Sequence, residues 1–582
     1  MGKIDRTHEV MTTDVLVIGS GAAGYRAATK AKEAGCDTLI IEKGSARSAG
    51  CLGLCCGMDH FCFIYPPPDT PFSNPDLSLP SMKEVIGRLT EMREREEEKL
   101  FVNPPNGFSV IVREGWEEVE EMEKVGVRFK EDDGTYHVFS QPEMGNVAVF
   151  IKGAGMQHNF VAGLNKNGIK VLNRTMAVDL LTNNGSVTGA VAVDVRTGSI
   201  KVIRSRATVI ATGAAGRSYI SDPLLPSSMF LLNVASTNDG SSAALAYRAG
   251  AEIINSEFAW IAIGSKSVRV PFNGLAPFAL WPYDMSGPHP ILVNSKGEEI
   301  FPGGKFEEGA STFHGAFLPL LEEEEKKGNG PFFWDCRHLP EEMIQDIEQK
   351  CFAQEGPIGL KWMQQRGIDL RKDLLEIALR FFALHAGVFM DENTQTNLKG
   401  LYSAGDAASQ NGGGLTAAMV FGKRAGINAG RYAGEAGEPV VDDNQIEEIK
   451  ESIFAPQMVK NGYEPLEVEK EVRSVMTRYS GFYKSESSLK RGLEIISDLK
   501  DNILPKVSAK NPHELMRALE LRNIVLTIEM HMRASMERKE SRMGGFGHYH
   551  LRRDYPEMDP EWNRYLVVRK EGETMKLIPR EY

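Results

Sequence analysis

No stretch of this sequence approaches the ~18 consecutive apolar residues that a bilayer-crossing helix needs. The opening residues Met1–Glu9 are polar and charged, without the apolar core of a leader. A cytoplasmic chain is therefore expected, reaching a membrane only indirectly through other subunits. A basic excess is also missing: 67 Lys and Arg stand against 79 Asp and Glu, a net charge of −12. Without a cationic face nothing would offset phosphate repulsion, which excludes nucleic acid as a partner. Cysteine is sparse and odd in number, seven in 582 residues, and does not make a disulfide framework. Four of the seven (Cys51, Cys55, Cys56 and Cys62) crowd into twelve residues. Their spacing fits no zinc or ferredoxin pattern. No metal is assigned; they read as free thiols near a cofactor, with a catalytic or redox-sensing role as the alternative.

What is present points to a dinucleotide. The length implies two to four domains, and 42% hydrophobic with 25% charged residues is ordinary for a globular protein. Val15–Ile18 is a short apolar run of the kind buried in a parallel sheet. It leads into Gly19-Ser20-Gly21-Ala22-Ala23-Gly24, a GxGxxG turn that opens an Ala-rich helix from Ala22 to Ala34. Gly35 ends the helix, and a second strand, Thr38–Ile41, closes on Glu42. Glycines permit the tight turn and let backbone approach a pyrophosphate, whose charge meets the free N–H groups and dipole of the helix N-terminus. Glu42 stands where an acid accepts hydrogen bonds from ribose hydroxyls. NAD and FAD both satisfy this unit.

Along the rest of the chain, Lys83–Glu97 and Trp116–Lys124 read as surface helices. Tyr65–Pro80, with six prolines, must be a loop or arm. Strands are expected at Val171–Val178, Val187–Val195 and Lys201–Arg204, with a hairpin turn at Asn183-Asn184-Gly185. Ala207–Gly216 is another strand running into small residues. From Ala251 to about Pro340 short strands, prolines and aromatics suggest an inserted domain, and dinucleotide-fold texture returns over Gly387–Gly426. Helices dominate from Asn444, one of them starting at Asn511-Pro512-His513-Glu514 with a cap, a first-turn proline and a glutamate three positions on. The tail after Arg542 is extended. The divisions expected are 1–250, 251–375, 376–436 and 437–582.

Leu398–Ala408, LKGLYSAGDAA, resembles the late motif of two-dinucleotide-fold flavoproteins, and Ala207–Gly216, ATVIATGAAG, resembles their middle motif. With Asn238-Asp239-Gly240, Tyr247–Glu252, Val293–Glu299, His385 before Gly387-Val388-Phe389, Val420–Gly426 and the tail ESRMGGFGHYHLRRDYPEMDPEW, the chain resembles the fumarate reductase/succinate dehydrogenase flavoprotein superfamily. Within it, the chain is most similar to the adenylylsulfate reductase alpha subunit. The likeness spans nearly everything outside residues 64–80. It implies an α/β fold: a two-dinucleotide-fold FAD domain with an inserted α+β capping domain and a C-terminal helical domain. It implies FAD contacts at Gly19, Ser20, Gly21, Ala22, Ala23, Gly24, Glu42, Lys43 and Ser48, at Ala211, Thr212, Gly213 and Asp239, and at Gly405, Asp406, Leu415 and Thr416.

Departures from the family pattern bear on chemistry. Succinate dehydrogenases tether FAD to a histidine after Arg-Ser; here the stretch is Arg47-Ser48-Ala49, so FAD should be non-covalent. The arginine that moves a proton in the dicarboxylate enzymes aligns with His314, and the arginine that clamps a carboxylate aligns with Ser409 or Gln410. A family histidine aligns near Ala262, while His385 is retained. Fumarate, succinate and aspartate are therefore poor substrates, and the adenylylsulfate reductases also use an arginine near position 314. Lys266 and Arg269 could serve a different anion. His385 and His314 are the catalytic candidates, because imidazole exchanges protons near neutrality. The resemblance also implies electron transfer to a separate ferredoxin-like iron–sulfur subunit. Two alternatives are a self-sufficient flavin oxidase and an FAD electron-transfer protein without its own substrate.

Overall fold

The computed structural model describes residues 4, 7–48, 50–51, 60–62, 64–67, 69–72, 107–136, 138–141, 146–151, 155–220, 231–232, 235–265, 290–300, 317–351, 363–408, 414–544 and 548–581. Lys83–Glu97, His314, Ser409, Gln410, Lys266, Arg269, Cys55 and Cys56 lie outside them.

Val15 to Ile18 are apolar on both faces, so they must sit in a strand covered on both sides; they end β1 (His8–Ile18) and are buried. Helix α1 (Ala22–Glu33) returns the chain to β2 (Thr38–Glu42), parallel to β1 with Val15 opposite Thr38 and Ile18 opposite Ile41. Next come α2 (Gly107–Lys124), α3 (Met156–Lys166), β3 (Lys170–Asn173), β4 (Thr175–Asn183), β5 (Ser186–Asp194) and β6 (Ile200–Ile210). The sheet runs β3-β2-β1-β6-β5-β4, and Leu401–Ser403 adds a seventh strand, parallel to the last three residues of β6.

Three expectations change here. Val171–Val178 is two strands, because Arg174 takes a left-handed φ of 59° and turns the chain from a parallel partner (β2) to an antiparallel one (β5). Lys201–Arg204 and the run from Ala207 are one strand, β6, whose first half pairs with β5 and whose whole length pairs with β1. The helix expected at Trp116–Lys124 starts at Gly107 and is no mere surface helix: Val119 and Met122 are fully buried, and Glu118 is buried against Arg26 at 2.6 Å. The hairpin turn holds, with Asn184 and Gly185 both left-handed as its type demands.

Around helix α4 (Ser241–Ala249) the chain builds a second sheet, eight-stranded among the described residues, in which β7 (Ala259–Ser265) and β8 (Leu375–Leu384) pair antiparallel. Helix α5 (Gly414–Glu435) crosses α1 at backbone distance: a Cβ on Gly422 would lie 2.6 Å from the Ala23 carbonyl oxygen, and one on Gly426 2.2 Å from that of Ala27. The helical part contains α6 (Asp443–Met458), α7 (Pro465–Tyr479) and α8 (Pro512–Glu537). Asn511 caps α8 as its sequence requires, its side chain accepting from Glu514 N at 3.0 Å. The extended tail is built into two sheets. Its strand β9 (His548–Arg552) adds to β7, and the hairpin β10 (Tyr565–Glu571) with β11 (Thr574–Arg580) pairs with Ile253–Ile254. Among the described residues no helix is long and apolar enough to cross a membrane.

Candidate functional site

Strands β1, β6 and Leu401–Ser403 are parallel, so their C-terminal ends lie on one edge of the sheet, where ligands of open α/β sheets bind. Backbone bonds lock these ends in register: Ala211 N donates to Ile18 O at 2.9 Å, and Ala404 N to Ile210 O at 3.1 Å. The three glycine segments that follow therefore touch. A Cβ on Gly19 would lie 2.4 Å from the Ala211 carbonyl oxygen, and one on Gly405 3.0 Å from Ala23 Cβ. Gly24 is tighter still, since its Cβ would stand 2.0 Å from Gly19 O. Gly21 is the opposite case: a Cβ there meets nothing within 4 Å. Packing thus excludes side chains at Gly19 and Gly24, while Gly21 faces open space at the N-terminus of α1.

Polar groups around this space fit a dinucleotide. Glu42 is buried, and its carboxylate accepts from Ser20 N (3.0 Å), Ser20 Oγ (2.8 Å) and Gly44 N (2.6 Å). A carboxylate has about four lone-pair sites, so one remains for a ribose hydroxyl. Gln157, on α3, donates to Ser20 O (3.1 Å) and Ala46 O (2.6 Å), yet its Oε1 is buried without a partner among the described residues. Thr212 Oγ1 is likewise buried and without a partner there. Buried polar atoms in this state call for a ligand or ordered water. Asp406 is exposed, while the protein crowding around it pushes its carboxyl above the usual range. Ala22, Ala23 and Ala211 are buried, Gly213 is half-buried, Thr416 is buried and Leu415 half-buried at the start of α5, and Ser48 is exposed.

Lys43 and Asp239 meet one another: Lys43 Nζ lies 3.1 Å from Asp239 Oδ1 and 2.9 Å from Glu520 on α8. Asn523 Nδ2 donates to the other Asp239 oxygen at 3.0 Å. Arg217 extends the network, pairing with Glu469 on α7 at 2.7 Å and with Glu520 at 2.9 Å. Burial would raise the Asp239 carboxyl, but Lys43 and Asn523 outweigh it and hold it below the usual range. These residues clamp the helical part onto the cofactor-side sheet. Cys51 approaches the same neighbourhood, its Sγ accepting from Asn238 Nδ2 at 3.8 Å. Gln157 and Arg217 belong to no motif. Only the pairing of distant segments reveals them.

His385 follows the end of β8. Leu384 N donates to Ala215 O at 2.9 Å and His385 N to Phe258 O at 3.0 Å. The histidine is thereby fixed beside the Ala211–Gly216 segment, half-buried, with Trp260 stacked 6.3 Å away.

A second polar cluster lies where α8 meets Ser256 and β9. His531 Nδ1 donates to Ser256 O at 2.8 Å, and its Nε2 is 3.4 Å from Lys484 Nζ. Burial, with Arg552 nearby, drops the Lys484 ammonium to about 7, and burial, with Lys484 nearby, holds the imidazoles of His531 and His550 well below their usual value. The unfolded lysine titrates near ~10.4. Between pH ~7 and that value the unfolded chain binds a proton that the folded chain lacks, so stability rises with pH across the window by up to ~1.4 kcal/mol per pH unit. Urea unfolding between pH 7 and 9 should show this slope, and Lys484→Met should flatten it. An unchanged slope in the variant refutes the assignment. For the histidines the window lies below ~6.5, where stability falls with acid.

Comparison with known proteins agrees with this geometry. The family model for the FAD binding domain matches residues 14–61 and 101–418, and the model for the fumarate reductase flavoprotein C-terminal region matches 469–580. A fumarate reductase (CoM/CoB) polypeptide of Methanothermobacter marburgensis is 26% identical over 97% of this chain and 98% of that protein. L-Aspartate oxidase of Vibrio cholerae is 25% identical over 97% of this chain and 99% of its own. Among solved structures, adenylylsulfate reductase from Archaeoglobus fulgidus shares the fold with a TM-score of 0.78 at 22% identity, covering 99% of this chain and 97% of that one.

Proposed function

The chain belongs to the fumarate reductase/succinate dehydrogenase flavoprotein family and is an FAD-dependent oxidoreductase, and on that basis we propose that it is the flavoprotein component of a redox complex. In this reading it exchanges electrons between a small anionic substrate, not a dicarboxylate, and an iron–sulfur partner subunit. The observation that carries the reading is the meeting of Gly19–Gly24, Ala211–Gly213 and Gly405-Asp406 on one sheet edge, with His385 held against the middle segment. Bound FAD supplies two-electron chemistry toward a substrate and single-electron release toward a partner. Gly21 and the α1 N-terminus would receive its pyrophosphate, the free Glu42 lone pair a ribose hydroxyl, and Asp406 a polar part of the chain between. Nothing at Arg47-Ser48-Ala49 offers a histidine tether, so the cofactor is held without a covalent bond.

In this reading His385, with His314 as the second candidate, gives or takes the substrate's proton. The backbone is pinned at Leu384 and His385, which holds His385 beside the Ala211–Gly216 segment. The non-dicarboxylate reading rests on His314 and on Ser409 or Gln410 standing where the dicarboxylate enzymes carry arginines, since two carboxylates need cationic clamps. The test uses the complex purified anaerobically from its native source, with reduced viologen as donor and a panel of small anions as acceptors. Acid should release intact FAD from the wild type, and an iron–sulfur absorbance should track a smaller subunit. His385→Ala should lower turnover ~10²-fold or more while keeping its FAD. Retained activity removes the histidine's role. Rapid oxidase turnover by the isolated chain removes the partner.

A further inference from the structure

Away from the cofactor edge, a cavity of about 330 Å³ opens between β4, the end of α4 and helices α6 and α8. Its charges do not balance. Asp179 is taken by Arg248 at 3.1 Å, and Glu529 by Lys500 at 2.9 Å and Arg533 at 2.8 Å. Arg522 is left over. Its guanidinium donates to Ser452 Oγ (2.8 Å) and Ser452 O (2.6 Å), and among the described residues it has no carboxylate partner. Burial, with the like charge of Arg248 added, pushes Arg522 down to about 10. A guanidinium in that setting is stabilised by an incoming anion. Apart from Asn523, whose amide is held by Arg248 and Asp239, the remaining wall, including Met176, Leu504, Leu519 and Leu526, is apolar.

We propose that this cavity is a binding site for a small monocarboxylate with a short apolar tail, its carboxylate paired with Arg522 and its tail lying against the leucines of α8. The fork of a guanidinium matches one carboxylate bidentately. A second negative charge would find no unpaired cation among the described residues, because Arg248, Lys500 and Arg533 are already paired, which disfavours phosphate and dicarboxylates. The volume is at the low end of small-molecule sites (~300–1,000 Å³), so a short chain fits and a long-chain lipid does not. The proposal does not rest on the redox reading, although Asn523 joins the cavity wall to Asp239, and its test does not need turnover.

Calorimetric titration of the FAD-loaded full-length chain with hexanoate should give saturable binding of one equivalent, with acetate and hexanol each much weaker. Arg522→Gln should weaken hexanoate ~10- to 100-fold, the loss of a charge-assisted pair. A second measurement on the wild type covers the case of a misfolded variant: hexanoate should protect Arg522 from phenylglyoxal, read by peptide mass spectrometry. No saturable heat, equal binding by the variant, or unprotected Arg522 overturns the proposal.

Discussion

Gly24→Ala is expected to purify without flavin, whereas Gly21→Ala should purify as a stable protein with weakened flavin binding. The two glycines are three residues apart in one turn, yet they face different obstacles. At position 24 the added carbon would stand 2.0 Å from Gly19 O and 2.9 Å from Gly19 C, both backbone atoms. No rotamer change relieves that contact, so the turn itself must move, at the ~1–3 kcal/mol typical of overpacking or more. Moving it displaces Gly19, which is already against the Ala211 carbonyl, and with it the N–H groups that would face a pyrophosphate. A loss of ~10- to 100-fold or more in FAD affinity follows. At position 21 the carbon enters open space, so the apoprotein should melt at the wild-type temperature. Any fall in FAD affinity there is a clash with the cofactor alone. FAD titration by fluorescence quenching, with apoprotein melting curves, separates the two effects. Wild-type FAD affinity in Gly24→Ala would show that the cofactor does not use this turn.

Arg538→Ala should be the most damaging single change to stability, lowering it by ~3–5 kcal/mol. Arg538 is fully buried, with Glu257 at 2.7 Å and Glu540 at 2.8 Å, both also fully buried. Its remaining donors reach Trp562 O (2.7 Å) and Arg564 O (2.9 Å). Removing the arginine takes from Glu257 its ion pair, leaving only the longer-range charge of Lys484, and leaves Glu540 with Arg542, at 2.7 Å. An uncompensated buried charge costs about this much. The arginine also ties the end of α8 to the residues before β7 and to the tail, so the loss is shared by three segments. Urea denaturation of the FAD-loaded protein reads it directly. A change within ~0.5 kcal/mol, the range of surface substitutions, would contradict the burial of this network.

Much of the cofactor side is legible in the sequence. The β1-turn-α1-β2 unit is local: an apolar run, three glycines and an acid fall within thirty residues, and each forces its own conformation. The Asn511 cap and the Asn184-Gly185 turn are legible for the same reason, because cap and turn chemistry act over two to four residues. The break at Arg174 is not, since a left-handed arginine has no local signal and is imposed by the change of partner strand. Nor is the burial of α2, whose many acids read as solvated until Arg26 and Lys423 are seen to meet them.

The cofactor class, the family and the order of the three glycine segments follow from the amino-acid order alone, because each motif encodes backbone geometry within its own few residues. It took the folded chain to bring these segments to one edge, to leave polar atoms of Gln157 and Thr212 there without partners among the described residues, and to join Lys43 and Asp239 to the helical part. The fold likewise makes Arg522 a surplus cation in a cavity. One cause runs through all four: strand pairing and charge pairing join residues up to several hundred positions apart, and no local pattern announces which partner a buried group will find.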